Sequence, residues 1–177
     1  MGRVVRFIAY SDYLCPWCWN ASRRLFKLAD EYQGRIEILW RAYLLRPRAK
    51  AAARVGPEAF GCMHERLMSA YFSESRDISN FEVLRELWER EGLPSADFEQ
   101  AQLAEIEQEI LREHAEARAW GATGVPAIRR VDNDAVIVGA HPEALYRRWI
   151  ERSLERGEGL VEAGSDDSGG PPGPPSA

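Results

Sequence analysis

Two cysteines, Cys15 and Cys18, are separated by Pro16 and Trp17 in the run Cys15-Pro16-Trp17-Cys18. Before them comes the apolar stretch Val4-Val5-Arg6-Phe7-Ile8-Ala9-Tyr10, which reads as a buried strand. After them Trp17, Ala21, Leu25, Leu28 and Tyr32 recur at steps of three and four, which is one face of a helix. The pair therefore falls where a strand turns into a helix. The first turn of a helix carries unpaired N–H groups and a partial positive charge, so a sulfur there is more stable as thiolate than a free cysteine. One helical turn brings the two sulfurs within reach, and the small ring they can close is open to attack by another thiol. Cys18 can then displace whatever is bound to Cys15. Pro16 suits the first helical position, where a missing N–H costs nothing. This spacing points to thiol–disulfide exchange; a pair of partly buried structural thiols is the plainer alternative.

The elements that hold this pair must come from a chain of 177 residues, enough for one domain with a core or one domain carrying an insertion. Its 45% hydrophobic and 29% charged residues are those of an ordinary soluble globular protein. A net charge of −5 gives no electrostatic case for nucleic acid or an anionic membrane as partner. Arginines alternate with glutamates along the helical stretches, as on a solvated surface. No signal-peptide h-region or cleavage site precedes the first strand, and no apolar run is long enough to span a bilayer. Three cysteines, two of them in a CxxC, make no disulfide framework. The expectation is a cytoplasmic, reducing setting, where a CxxC is catalytic or metal-binding.

Along the chain, Gly34 is placed to cap the first helix. Residues 35–45 alternate apolar and polar and predict a second strand, parallel to the first because one helix joins them. Arg46-Pro47-Arg48 opens a loop. From Pro57 to Trp120 there is no strand signal: one helix carries Phe60, Met63, Leu67, Met68, Tyr71 and Phe72. The next starts at a capping box, Ser79 to Glu82, with Ile78 stapled to Val83, and stops at Gly92-Leu93-Pro94. A further helical stretch from Ser95 to Ala119 uses Phe98, Leu103, Ile106, Ile110, Leu111 and Ala115 as its apolar face. Residues 127–131 and 135–138 flank Asp132-Asn133-Asp134 as a hairpin. A last helix, led in by His141-Pro142, carries Leu145, Trp149, Ile150 and Leu154. Beyond Gly157 the Gly, Ser, Pro and Asp composition predicts a disordered tail without chemistry.

This order, β-α-β, helical insert, β-β-α, with CxxC after the first strand and Gly124-Val125-Pro126 before the third, resembles the α/β thioredoxin-like fold with an inserted helical domain, as in the DsbA family. The expected divisions are 1–46 and 120–156 for the two thioredoxin-like halves, 47–119 for the insert and 157–177 for the tail. The stretches from Tyr10 to Cys18, from Tyr71 to Ser79 and from Gly121 to Pro126 resemble the FrnE-like branch, and the likeness spans about residues 3–156. It implies a cytosolic protein disulfide oxidoreductase with a redox-active center. Cys15 would be the exposed nucleophile, Cys18 the resolving thiol and Pro126 a cis-proline facing the disulfide. Val125 would pair its backbone with an extended substrate peptide. No cofactor beyond the Cys15–Cys18 disulfide is implied, with a low-molecular-weight thiol as an optional co-substrate. The partners implied are thiol or disulfide substrates, protein or small molecule, with no nucleic acid and no membrane; the chain itself is a monomer or homodimer.

Pro16-Trp17 supplies no His or Lys cation to the thiolate, and Asp12 works against it, so Cys15 is expected to be less acidic than in strongly oxidising relatives. Asp12 is a candidate proton shuttle for Cys18 or a turn residue at a helix start. Trp17, Trp19 and Tyr13 either line a substrate surface or pack the core. Cys62 reads as a free helix thiol, and His64 and His114 as single histidines of the insert. Besides a chaperone-like binding module with incidental thiols, two other functions fit less well. One is a glutathione- or mycothiol-dependent reductase or transferase of a small molecule. The other is a zinc module using Cys15, Cys18, Cys62 and His64, for which Cys-x-His is a poor half-site. No metal is expected at the site.

Overall fold

The opening apolar run becomes strand β1 (Arg3–Ser11), buried from Val4 to Tyr10 because helices cover both of its faces. The computed structural model describes residues 3–45, 57–100, 104–132 and 135–162. Helix α1 (Pro16–Glu31) carries the chain over the sheet to β2 (Ile36–Ala42), which pairs in parallel with β1 from Val5↔Ile36 to Ser11↔Ala42. On the other side of β1 lies β3 (Ala127–Arg130), antiparallel, and beyond it β4 (Val136–Val138), giving the order β2-β1-β3-β4. Val5, Phe7 and Ala9 pack on Leu25 and Leu28 of α1 and on Tyr146 and Ile150 of α6 (Glu143–Arg156). Ile8 and Tyr10 face the opposite side, against Tyr43, Ala117, Ala122 and Ala127, where α5 (Ala104–Ala119) ends. Between β2 and α5 run α2 (Pro57–Phe72), α3 (Phe81–Arg90) and α4 (Ser95–Gln100), which build a core of their own from Met63, Leu67, Ile78, Leu87, Trp88 and Phe98.

Several expectations are corrected. The N-cap of α3 is Asn80, whose side chain accepts from Glu82 N; the Ser79 hydroxyl is spent on Asp77. The cap of α1 is Tyr32, with Gly34 at φ +71° in the turn that follows. Strand β2 ends at Ala42, opposite the last residue of β1. Leu111 is 47% exposed and Ala115 is also exposed, so the inward face of α5 is partly polar. The reason is that β2 is an edge strand whose N–H groups need acceptors. Glu113 accepts from Ala42 N at 2.7 Å and His114 Nδ1 from Leu44 N at 3.1 Å. In α6 it is Tyr146, not Leu145, that points inward.

The expected tail is also corrected, since Leu160–Glu162 form strand β5, antiparallel to the start of β1. The register of β3 reaches only from Tyr10 back to Phe7, which leaves Arg3–Val5 open on that side for β5 to fill. Arg130 holds the approach, donating to Asp132, to Ser153 Oγ and to Glu158. Arg46, Pro47, Arg48, Leu103, Asn133, Asp134 and residues 163–177 lie outside the described residues.

Candidate active site

The turn that presents the cysteines is built by Asp12. With β1 ended at Ser11, Asp12 Oδ1 accepts from Leu14 N and Oδ2 from Leu45 N, both at 2.7 Å. One carboxylate thereby shapes the loop before α1 and ties it to the chain leaving β2. Cys15 N donates to Asp12 O at 3.1 Å, and Cys15 becomes the N-cap of α1 in extended conformation, followed by Pro16 in the first turn. Cys18 N closes that turn onto Cys15 O at 3.0 Å. Cys15 and Cys18 are free thiols. Cys15 is only 5% exposed, a departure from the exposed nucleophile expected, because α2 lays Met68 and Phe72 against the pair.

The loop before β3 supplies the opposite wall. The Val125–Pro126 peptide bond is cis, and Cys15 Sγ lies 3.5 Å from Val125 O, to which the thiol donates. Pro126 O accepts from Gly139 N at 2.8 Å, which fixes this loop to the end of β4. Of the three aromatic candidates, Trp17 is 62% exposed beside Cys15. Trp19 stacks on Phe72 with ring centroids 5.8 Å apart, and Tyr13 packs against His64, so both of these belong to the interior.

The two sulfurs are electrostatically unequal. The Cys15 thiol is pulled down to about 6, first by the hydrogen bond from Cys18 and further by the N–H groups of Cys18 and Trp17; burial and the Asp12 charge oppose this. Cys18 is pushed up, first by its bond to Cys15 and then by burial. One proton is thus shared by the pair, with Cys15 as the thiolate and Cys18 as the donor. When Cys15 is protonated it donates instead to Val125 O.

Other candidates fall away from this centre. His64 is 2% exposed, its ring enclosed by Tyr13, Phe26, Trp40 and Phe60, and Cys62 is exposed on α2. Among the described residues no three His, Cys, Asp or Glu side chains converge to hold a metal ion, so the Cys15, Cys18, Cys62 and His64 set is not assembled. His141 bonds Val138 O in the lead-in to α6. The spacing of Met68 and Phe72 places them on one helix face, but only the folded chain shows that this face meets the cysteine pair, and nothing local in the sequence marks Ser11.

The sequence matches the DSBA-like thioredoxin domain over residues 6–68 and 58–151. The chain belongs to the DsbA-like thioredoxin family. Among solved structures, a candidate protein disulfide isomerase from Nitrosomonas europaea is similar at a TM-score of 0.74 and 15% identity, covering 86% of this chain and 98% of its own. A candidate DsbA oxidoreductase from Streptomyces coelicolor gives 0.71 and 18%, over 85% of this chain and 90% of its own. Pseudomonas aeruginosa DsbA gives 0.66 and 15%, over 87% and 86%. At these identities the likeness is one of fold. No curated protein matches the sequence. The DsbA-like family is one of thioredoxin-fold thiol–disulfide oxidoreductases, and no described helix of this member is long and apolar enough to cross a membrane.

Proposed function

We propose that Cys15 is the nucleophile and Cys18 the resolving thiol of a cytoplasmic thiol–disulfide oxidoreductase of the FrnE-like kind. The Cys15 thiolate attacks one sulfur of a substrate disulfide, that bond breaks, and the other substrate sulfur leaves as a thiolate. Cys18 then attacks Cys15, its proton passing to the second substrate sulfur as that leaves, and an external thiol reduces the Cys15–Cys18 disulfide. The observation that carries this is the placement of the pair: Cys15 at the N-cap of α1 with its Sγ 3.5 Å from Val125 O of the cis Val125–Pro126 loop, and Cys18 buried one helical turn on. Burial and the Asp12 charge oppose the lowering of the Cys15 thiol, and no cation inside the motif adds to it. That supports reduction or isomerisation in a reducing compartment over forced oxidation. Pro16 stiffens the ring, Trp17 offers an exposed apolar face, and the Val125 backbone, held beside the sulfur by Pro126, is available to an extended peptide.

The narrow access to Cys15 also favours a second reading, a slim low-molecular-weight thiol such as glutathione or mycothiol as the partner. One experiment separates the two. Cys18→Ser leaves the mixed disulfide unresolved, and mass spectrometry of whatever is joined to Cys15 should find protein partners. A small-thiol adduct alone would favour the second reading, and no adduct on Cys15 would sink both.

A further inference from the structure

Ser11 is the last residue of β1, and its place is fixed by pairing with Ala42 and by Tyr43 N donating to its carbonyl. Its hydroxyl is buried and has no hydrogen-bond partner among the described residues. Buried hydroxyls are seldom left this way, since an unmade bond costs more than a made one returns. Ser11 continues the alternation of Val5, Phe7 and Ala9 on the face of β1 that α1 covers, and Cys18 is the first buried residue of α1, so hydroxyl and sulfur belong to the same layer at the end of the strand where the CxxC turn begins. The side chains of Asp12 and Tyr146 are engaged elsewhere. Each oxygen of the Asp12 carboxylate already accepts from a backbone N–H, of Leu14 and of Leu45. Tyr146 of α6 donates to Gly139 O and accepts from His141 N. Cys15 is the titrating partner on the same helix.

We infer that Ser11 is the hydrogen-bond donor that stabilises the Cys18 thiolate in the resolving step. The inference rests on the reading of Cys18 as resolving thiol. In the mixed disulfide the sulfur of Cys15 is bonded and no longer accepts from Cys18. Cys18 loses its proton, its thiolate bonds to Cys15, and the Cys15–substrate bond breaks; the proton ends on the departing thiol. Ser11 keeps its own proton throughout and contributes the O–H···S⁻ bond that the resting pair does not use.

The test is single-turnover reaction of the reduced protein with dithiobis(nitrobenzoate), carried out in a Cys62→Ser background because Cys62 is exposed. The parent releases one thionitrobenzoate as Cys15 is modified and a second as Cys18 resolves it. Ser11→Ala is expected to leave the first release unchanged and slow the second about tenfold, the loss of one hydrogen bond to a charged atom. It should also move the pH profile of the second release upward, and Ser11→Thr should restore both. A Ser11→Ala variant whose second release keeps the parental rate, or slows with no movement of its pH profile, overturns the inference. A parent that releases only one equivalent overturns the resolving role of Cys18, and with it the proposed function; an unchanged Ser11→Ala beside a two-step parent removes the role of Ser11 alone.

Discussion

At the scale of single residues, the charge of Asp12 and the donors of the α1 terminus pull the Cys15 proton in opposite directions. Alkylation of Cys15 in a Cys62→Ser background should rise with pH to a half-maximum near 6, where the thiol is drawn below its usual range near 9.0. Asp12→Asn is expected to move that half-maximum to lower pH, because the carboxylate charge raises the Cys15 value. The same substitution should lower stability by about 1–3 kcal/mol, since an amide cannot accept from both Leu14 N and Leu45 N. Chemical denaturation and the alkylation profile report the two effects separately, and a half-maximum that stays or rises, or an unchanged stability, would contradict this account. The cysteine pair was legible because strand, turn and helix periodicities converge on it. The duty of Asp12 was not, since one of its partners, Leu45, is 33 residues away along the chain. Likewise, no local pattern shows that Ser11 would be left with a hydroxyl and no oxygen or nitrogen to bond.

Between elements, the docking of α5 and β5 onto the sheet edges depends on backbone groups. That is why apolar periodicity missed both: Glu113 and His114 look like a solvated face until the edge of β2 is beside them. Glu113→Ala should therefore cost about 1–3 kcal/mol, well above the norm for a surface glutamate, because Ala42 N loses its acceptor. A second check lies at Gly159, where φ is +71° and an added Cβ would stand 2.8 Å from Arg130 Cγ and Cδ. Gly159→Ala is expected to loosen β5, seen as faster amide exchange at its paired positions beside Val4 and Val5. Leu160-Val161-Glu162 is too short to stand out against its Gly- and Ser-rich surroundings, so its strand is dictated by the open edge it meets.

For the molecule as a whole, His64 sets how the helical insert responds to acid. It lies on α2 among Phe26 of α1, Trp40 of β2, Tyr13 of the cysteine loop and Phe60, with both ring nitrogens buried and unbonded among the described residues. Burial lowers it from 6.5 to about 4, so the fold holds the neutral ring. The sign follows directly: stability is complete above pH 6.5 and declines as pH falls through that value toward 4, by up to about 3 kcal/mol. His64→Phe should flatten that decline in denaturation curves taken between pH 7.5 and 4; an equally steep decline would exclude His64 as its source. The two α/β halves and the helices between them could be read from periodicity, but the aromatic enclosure joining them could not. It draws on four elements that are adjacent only once folded.

Because β5 lies beside the first residues of β1, positions 3 and 162 face each other across one ladder pair. A short peptide linker there would turn the domain into a closed ring, which could be reopened in the β3–β4 turn to make a circular permutant. Such a rewired chain should keep its CxxC chemistry while exchanging the order in which its halves leave the ribosome.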